Sequence, residues 1–210
     1  MSGGCRAQRD WGRDPVTHSP QYVTHMSDTG TYEDFRRFHR HPGRFRQAAA
    51  PEYFNGGVPV VSFPFYIDDV DPEARYLHWE FVDPDSIPVC GFEWIHWSVA
   101  NLPIDALMYD FNDSHALAIP PDFSRQLPAM IPETVQGCNS SASKFLGRST
   151  DPAVIMRYNG PQPPDKDHEY YLQVWATKKP LPGLNQASGS TSCCTRCATA
   201  VKCPTPTASS

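Results

Sequence analysis

No stretch of this 210-residue chain approaches the roughly 18 consecutive apolar residues that a membrane-spanning helix needs. The opening residues, MSGGCRAQRDWGRDP, also lack the apolar middle section that a secretory signal requires. The sequence therefore carries neither the signature of membrane insertion nor that of secretion. These two absences predict a cytoplasmic protein.

The chain also lacks an excess of positive charge, since 18 Lys and Arg residues face 23 Asp and Glu residues. A formal net charge of −5 argues against a nucleic-acid-binding protein, which would present a broad basic face to phosphates. One basic and aromatic segment, FRRFHRHPGRFRQAAA, is interpreted as a solvated arm, because a short basic run without a supporting motif is a weak signal.

Cysteine is scarce in the body of the chain, although the whole sequence contains seven. Four of them lie in the last eighteen residues, so their distribution does not indicate a disulfide framework. The C-terminal Cys-Cys-x-x-Cys group has no second pair or histidine at ligand spacing, which argues against a metal knuckle. We expect no cofactor.

What the sequence does contain is 22 Pro, 13 Gly and 12% aromatic residues, a composition that favours short strands and tight turns. It predicts one mostly-β domain. Residues 58–67 and 76–82 resemble a hairpin around an acidic turn, and 93–101 alternates as a strand with His96 opposite the apolar face. Two further strands are predicted over 154–158 and 169–177.

The pattern predicts that the domain occupies residues 58–184. Residues 1–57 are interpreted as a poorly structured leader or arm, of which 1–25 form a mis-assigned start because Met26 is an alternative one. Residues 185–210 are interpreted as a frame-shifted, disordered tail. Read one base out of register, they can encode an amphipathic helix, so we hypothesise that a C-terminal helix is lost.

Two turns rich in Pro and Gly carry the candidate chemistry. In Asp83-Pro84-Asp85 the proline restricts the backbone between two carboxylates, so Asp83 is predicted to enter a pocket while Asp85 caps the turn. His168 and Tyr170 share one face of a strand after the second turn. With His96 they form a cup in which Asp83 sets a histidine tautomer and N–H and O–H groups meet an anion.

These motifs, Asp-Pro-Asp-x-x-Pro, Gly-x-x-x-x-His-Trp-x-x-x-Asn and Tyr-x-Gly-Pro-x-Pro-Pro-x-x-x-His-x-Tyr, resemble the phosphatidylethanolamine-binding protein family, in its bacterial Raf-kinase-inhibitor-like branch. The resemblance covers roughly 58–184. It implies a β-sandwich of two mainly antiparallel sheets in Greek-key order with few peripheral helices. It places eight residues at or around an anion-binding pocket: Asp83, His96, Tyr158, Gly160, Pro161, Pro163, His168 and Tyr170.

The resemblance further implies a regulatory binding protein with a small anionic or phosphorylated ligand, a protein partner and a homodimer, and neither nucleic acid nor membrane insertion. Two positions depart from the family pattern. Glu169 replaces an Arg common between the last His and Tyr, and Gln162 replaces the Cys of the Gly-Pro-Cys-Pro-Pro turn. Two alternatives stay open: a metal-dependent or hydrolytic enzyme using the His, His and Asp cluster, and a frame-shifted product without function.

Overall fold

The computed structural model describes residues 22–30, 40–42, 45–47, 49–68, 70–109, 116–146 and 149–184. In this part of the chain the strands are β1 (Tyr22–Gly30), β2 (Arg40–Pro42), β3 (Phe54–Asn55), β4 (Val58–Pro59), β5 (Phe65–Ile67), β6 (Tyr76–Asp83), β7 (Trp94–Pro103), β8 (Met108–Tyr109), β9 (Leu117–Ile119), β10 (Val135–Gln136) and β11 (Glu169–Thr177). The α-helices are α1 (Ile87–Cys90), α2 (Phe123–Met130) and α3 (Pro152–Ile155). Short 3-10 helices lie at Pro51–Tyr53, Pro84–Ser86, Ile104–Ala106 and Ser140–Ala142.

The largest sheet has six strands in the order β10-β7-β6-β11-β1-β2. Its pairs are antiparallel except for β1 and β2, which are parallel. A second, antiparallel sheet has the order β5-β9-β8, and β3 pairs with β4. The prediction of a mostly-β fold with antiparallel sheets and few helices is confirmed.

The main core lies between the six-stranded sheet and the β5-β9-β8 sheet. The ring of Phe65 in β5 lies 5.5 Å from that of Trp79 in β6 and 6.4 Å from that of Trp97 in β7, both edge-on. The three side chains are no more than 1% exposed. This aromatic contact joins the two sheets, and burying so many rings is the main source of the fold's stability.

Two local predictions are wrong. The segments 58–67 and 76–82 do not form a hairpin, because β5 pairs with β9 while β6 pairs with β7 and β11. Residues 154–158 do not form a strand either. Asp151 accepts a hydrogen bond from Ala153 N and Pro152 follows it, so the chain starts α3 there instead. The predicted strand over 169–177 is confirmed as β11.

Residues before Val58, where the predicted domain starts, also contribute to the sheet and the core. The first six residues of β1, from Tyr22 to Ser27, pair with β11. Phe45 is 2% exposed in the main core and stacks against Tyr53, with ring centroids 6.4 Å apart. The basic, aromatic composition of this segment therefore concealed a core residue, Phe45.

The frame-shift hypothesis concerns residues that lie outside the described ranges, as do residues 1–21, and both stay predictions. Within the described ranges, none of the helices has the length and apolar character needed to cross a lipid bilayer.

Candidate functional site

At the centre of the candidate site, one imidazole is hydrogen-bonded to two carboxylates. His168 lies just before β11, and its Nδ1 is 2.7 Å from Asp83 Oδ2 at the end of β6. Its Nε2 is 2.8 Å from Asp165 Oδ1 in the preceding loop. His168 is 1% exposed, whereas the side chain of Asp165 is 48% exposed. The contact between His168 and Asp165 therefore lies where the buried site meets the surface.

The two carboxylates favour the protonated imidazolium of His168. Burial by itself lowers the pKa of His168, but the hydrogen bonds and charges of Asp83 and Asp165 outweigh it, and the net shift is upward. Both ring nitrogens face carboxylate oxygens, so each carries a hydrogen when the acids are ionised. The same hydrogen bond from His168 lowers the pKa of Asp165.

The turn after β6 holds Asp83 in place. Its Oδ1 accepts from Ser86 N at 3.0 Å, so one oxygen caps the 3-10 helix while the other holds His168. Ser86 Oγ donates to Asp83 O and accepts from Trp94 N at the start of β7. Asp85 Oδ2 accepts from Glu169 N at 3.1 Å. Asp83 thus serves both the turn and the site, and Asp85 ties the turn to β11.

His96 lies at a β-bulge, which the simple alternation of the sequence does not show. Val82 pairs with Ile95 and Phe81 pairs with Trp97, so His96 is the extra residue in β7. As a result both His96 and Trp97 are buried, at 4% and 0% exposure. Bulges often turn a side chain toward a functional site. The expectation that His96 lies opposite a buried apolar set is corrected by this bulge.

A reciprocal pair of hydrogen bonds fixes the ring of His96. Asn159 N donates to His96 O at 2.9 Å, and His96 Nδ1 lies 2.6 Å from Asn159 O. Because a carbonyl oxygen only accepts, Nδ1 carries the ring hydrogen. Burial lowers the pKa of His96 to about 4, so the ring is neutral near pH 7.

Tyr170 joins the two histidines into one cluster. Its ring lies 5.4 Å from the ring of His96 and 6.4 Å from that of His168. Phe81 packs against both Tyr170 and His96, at 5.7 and 5.3 Å between centroids. Residues 168 and 170 are buried while Glu169 is exposed, as the alternation of β11 predicts. The acid that departs from the family pattern therefore faces away from the cluster.

Tyr158 and Gly160 have structural partners. Tyr158 is fully buried, and its hydroxyl donates to Phe45 O at 2.8 Å. A Cβ on Gly160 would lie 2.7 Å from the Cβ of Pro59 and still closer to Phe45 O, so only glycine fits there. Pro161 is buried and its carbonyl accepts from Gln47 N at 3.1 Å, and Pro163 is half-buried in the same turn. These residues hold the second turn against the 45–59 segment.

Sequence reasoning missed two residues that complete this arrangement, Asn159 and Asp165, whereas Asn139 belongs to a Gly-x-Asn that matches the family pattern. Asn159 supplies the carbonyl that fixes His96, and Asp165 is the outer partner of His168. Asn139 donates to Val154 O and Arg157 O and thereby supports the segment that leads to Asn159. The spacing of Asp165, three residues before His168, was the available signal. A backbone carbonyl such as that of Asn159 leaves none.

The metal-site alternative gains no support from these side chains. Across the described ranges, no group of three or more His, Cys, Asp or Glu residues is arranged to hold a metal ion. Both nitrogens of His168 already face carboxylates, and the Nδ1 of His96 is bonded to a carbonyl. The arrangement instead offers a shielded imidazolium and a neutral imidazole that share one aromatic neighbour.

Comparison with known proteins gives two matches. A family model described as phosphatidylethanolamine-binding protein matches residues 40–195, a range that includes all of the candidate site. The uncharacterized protein YxkA of Bacillus subtilis (strain 168) is 41% identical over 133 residues, which are 63% of this chain and 71% of that protein. The residues matched by the family model therefore begin before Val58, as the core does.

Proposed function

Because this chain belongs to the phosphatidylethanolamine-binding protein family, we propose that Asp83, His96, His168 and Tyr170 bind phosphate, or a phosphorylated small molecule or head group. The observation that carries this proposal is the contact of buried His168 with exposed Asp165. Asp165 makes with Nε2 the charge-assisted hydrogen bond that an anionic ligand would make. A ligand oxygen that replaces this carboxylate keeps the same bond.

Asp83 prepares His168 for that role. Its carboxylate holds Nδ1 at 2.7 Å, so the ring keeps its orientation and its charge when Asp165 moves away. The rigid turn at Pro161 and Pro163 orders the wall before a ligand arrives, which lowers the entropy lost on binding. The role is binding rather than catalysis, and a regulatory effect on a protein partner would follow from occupancy of the site.

Thermal melting of the purified chain with phosphate and with phosphoethanolamine tests the proposal. A ligand that binds only the native state raises Tm with concentration, by an amount equivalent to about 2.7 kcal/mol at 100 times Kd. We expect this shift in the wild type and its loss in His168→Ala. The matched control is His78→Ala, which removes another buried histidine bonded to Thr177 and Asn101.

We expect His78→Ala to melt lower than the wild type but to keep the ligand-dependent shift. If neither ligand shifts the wild type at millimolar concentration, or if His168→Ala shifts equally, the proposed site is wrong.

A further inference from the structure

The second imidazole of the candidate site is a hydrogen-bond acceptor. The hydrogen of His96 lies on Nδ1, toward Asn159 O, so Nε2 presents a lone pair. Nε2 is buried, and no group in the described part of the chain donates to it. Leaving a buried polar atom unpaired is costly, so a ligand that brings a donor to Nε2 gains affinity. An oxyanion without a hydrogen would place lone pair against lone pair.

The charges around His168 also favour a ligand that carries a hydrogen. Asp83, Asp165 and the imidazolium of His168 together carry a single net negative charge when both acids are ionised. Asp85 interacts electrostatically with Asp83 and adds to this negative charge. Tyr170 is a further titratable group in ring contact with both imidazoles. A dianion is therefore repelled more strongly than a monoanion, and a ligand hydroxyl can also donate to a carboxylate.

We infer that the site selects an oxyanion that still carries a hydrogen, namely the monoanion of phosphate or of a phosphomonoester, whose P–OH donates to Nε2 of His96. This inference rests on the proposed function. It assigns complementary tasks to the two histidines, because His168 donates to an ionised oxygen and His96 accepts from the protonated one. It also excludes sulfate and phosphodiesters, including the diester linkage of a phospholipid head group.

Five small compounds, each with an oxyanion group, can serve as probes, because these groups differ in charge, in ester linkage and in whether they carry a hydrogen. The second pKa of a phosphomonoester is about 6, so at about pH 5.5 the phosphate groups of inorganic phosphate and of phosphoethanolamine mainly carry a hydrogen and a single negative charge. Dimethyl phosphate has the same charge but no hydrogen, and sulfate has the shape of phosphate but no hydrogen. Glycerophosphoethanolamine carries the diester of a lipid head group. The two phosphoethanolamine compounds therefore distinguish a free phosphorylated metabolite from a lipid as the source.

Isothermal titration of the wild-type chain with these five probes at about pH 5.5 tests the inference. We expect phosphate and phosphoethanolamine to bind about 10- to 100-fold more tightly than the other three, as the loss of one buried hydrogen bond implies. If sulfate or either diester binds within about threefold of phosphate, selection by the hydrogen is overturned while the proposed anion site stands. If phosphate itself does not bind, the proposed function fails first.

A variant adds an independent measurement. His96→Gln places an amide with N–H donors near the position of Nε2, so we expect the preference for phosphate over sulfate to fall by about tenfold or more. An unchanged preference in a folded His96→Gln chain would contradict the role of His96. If this variant does not fold, the five-probe panel on the wild type still decides the question.

Discussion

At the scale of single residues, the same side chain takes opposite charge states in one domain. Among the residues that the structure describes, His96 and His78 are buried without a carboxylate partner, and burial lowers the pKa of each to about 4. His78 accepts from Asn101 N at Nδ1 and faces Thr177 Oγ1 with Nε2, a pattern that needs a neutral ring. His168 is equally buried by surface area, but it lies between two carboxylates that raise its pKa. The partners, rather than burial alone, decide the charge.

Acid should therefore destabilise the fold through His78 and His96. Their pKa values are about 4 in the folded state and 6.5 in the unfolded state, so the unfolded state binds more protons between these limits. Stability falls as pH drops from 6.5 to about 4, by up to about 3 kcal/mol for each ring. Urea unfolding at several pH values measures this loss. His78→Gln keeps an acceptor for Asn101 N without titrating, so the variant should lose less stability than the wild type between pH 6.5 and about 4. If the stability of the two proteins falls in parallel with pH, His78 does not cause the loss.

His168 has the opposite sign. Its raised pKa contributes stability that is fully present below pH 6.5 and is lost as pH rises through the folded pKa. Asp165→Asn removes one of its two carboxylates, so we expect the pKa of His168 to fall in an NMR titration of the imidazole protons. Asp167→Asn, at an exposed position two residues further on, is the matched control. An equal change in both variants would show that general charge, not the 2.8 Å contact, sets the pKa.

At the scale of secondary-structure elements, irregular pairing between β6 and β7 positions the polar side chains of His96 and Asn101. The bulge at His96 allows two adjacent residues of β7 to be buried. A second irregularity lies between Leu77 and Trp79, opposite Asn101, which has a positive φ of 60°. There the side chain of Asn101 bonds both backbone groups of Leu181, so the bend in β7 also anchors the segment after β11. Regular alternation would provide neither contact.

Two substitutions of Asn101 separate its backbone role from its side-chain role. Both remove the hydrogen bonds to Leu181, but only Asn101→Ala also strains the left-handed backbone, by roughly 1 kcal/mol. We expect Asn101→Ala to be destabilised more than Asn101→Gly by about that amount in urea unfolding. Hydrogen exchange at Leu181 N should accelerate in both. Equal stabilities of the two variants would show that the positive φ carries no cost here.

At the scale of the whole molecule, the 45–59 segment and the second turn form one packed unit. Tyr158 O–H donates to Phe45 O, and Gly160 N donates to Pro59 O at 2.8 Å. Asn159 lies between Tyr158 and Gly160, and its carbonyl oxygen holds the ring of His96. The packing of Phe45 therefore reaches the candidate site through a short stretch of backbone. A domain cut at Val58 would remove Phe45 from this unit.

Phenylalanine substitutions test this coupling. Phe45→Ala should lower the free energy of unfolding by about 3–5 kcal/mol, because it opens a cavity in the main core. Phe145→Ala is the control, since that ring is 94% exposed and its loss should change stability by no more than about 0.5 kcal/mol. Urea unfolding of the two variants gives the comparison. Similar values would place Phe45 outside the cooperative core and would support Val58 as the domain start.

The sequence by itself determined the fold class and the family. The features that indicated them are local: aromatic strands, frequent Pro and Gly, and the spacing of two Pro-containing motifs. Local features can be recognised in the sequence without knowledge of the fold. They also led to Asp83, His96, His168 and Tyr170, because these residue types at those spacings have a shared chemistry. Strand β11 was found for the same reason, since residues 169–174 alternate regularly between buried and less buried positions.

Only the tertiary structure decided which partners these residues have. The pairing of β5 with β9, the bulge at His96 and the carbonyl of Asn159 depend on contacts between segments far apart in sequence. Backbone carbonyls are the same in every residue, so no composition or spacing marks the one that sets a tautomer. The hydrogen positions of the two histidines therefore follow from packing, which is why the sequence could name His96 and His168 but could not tell which ring carries a hydrogen on both nitrogens.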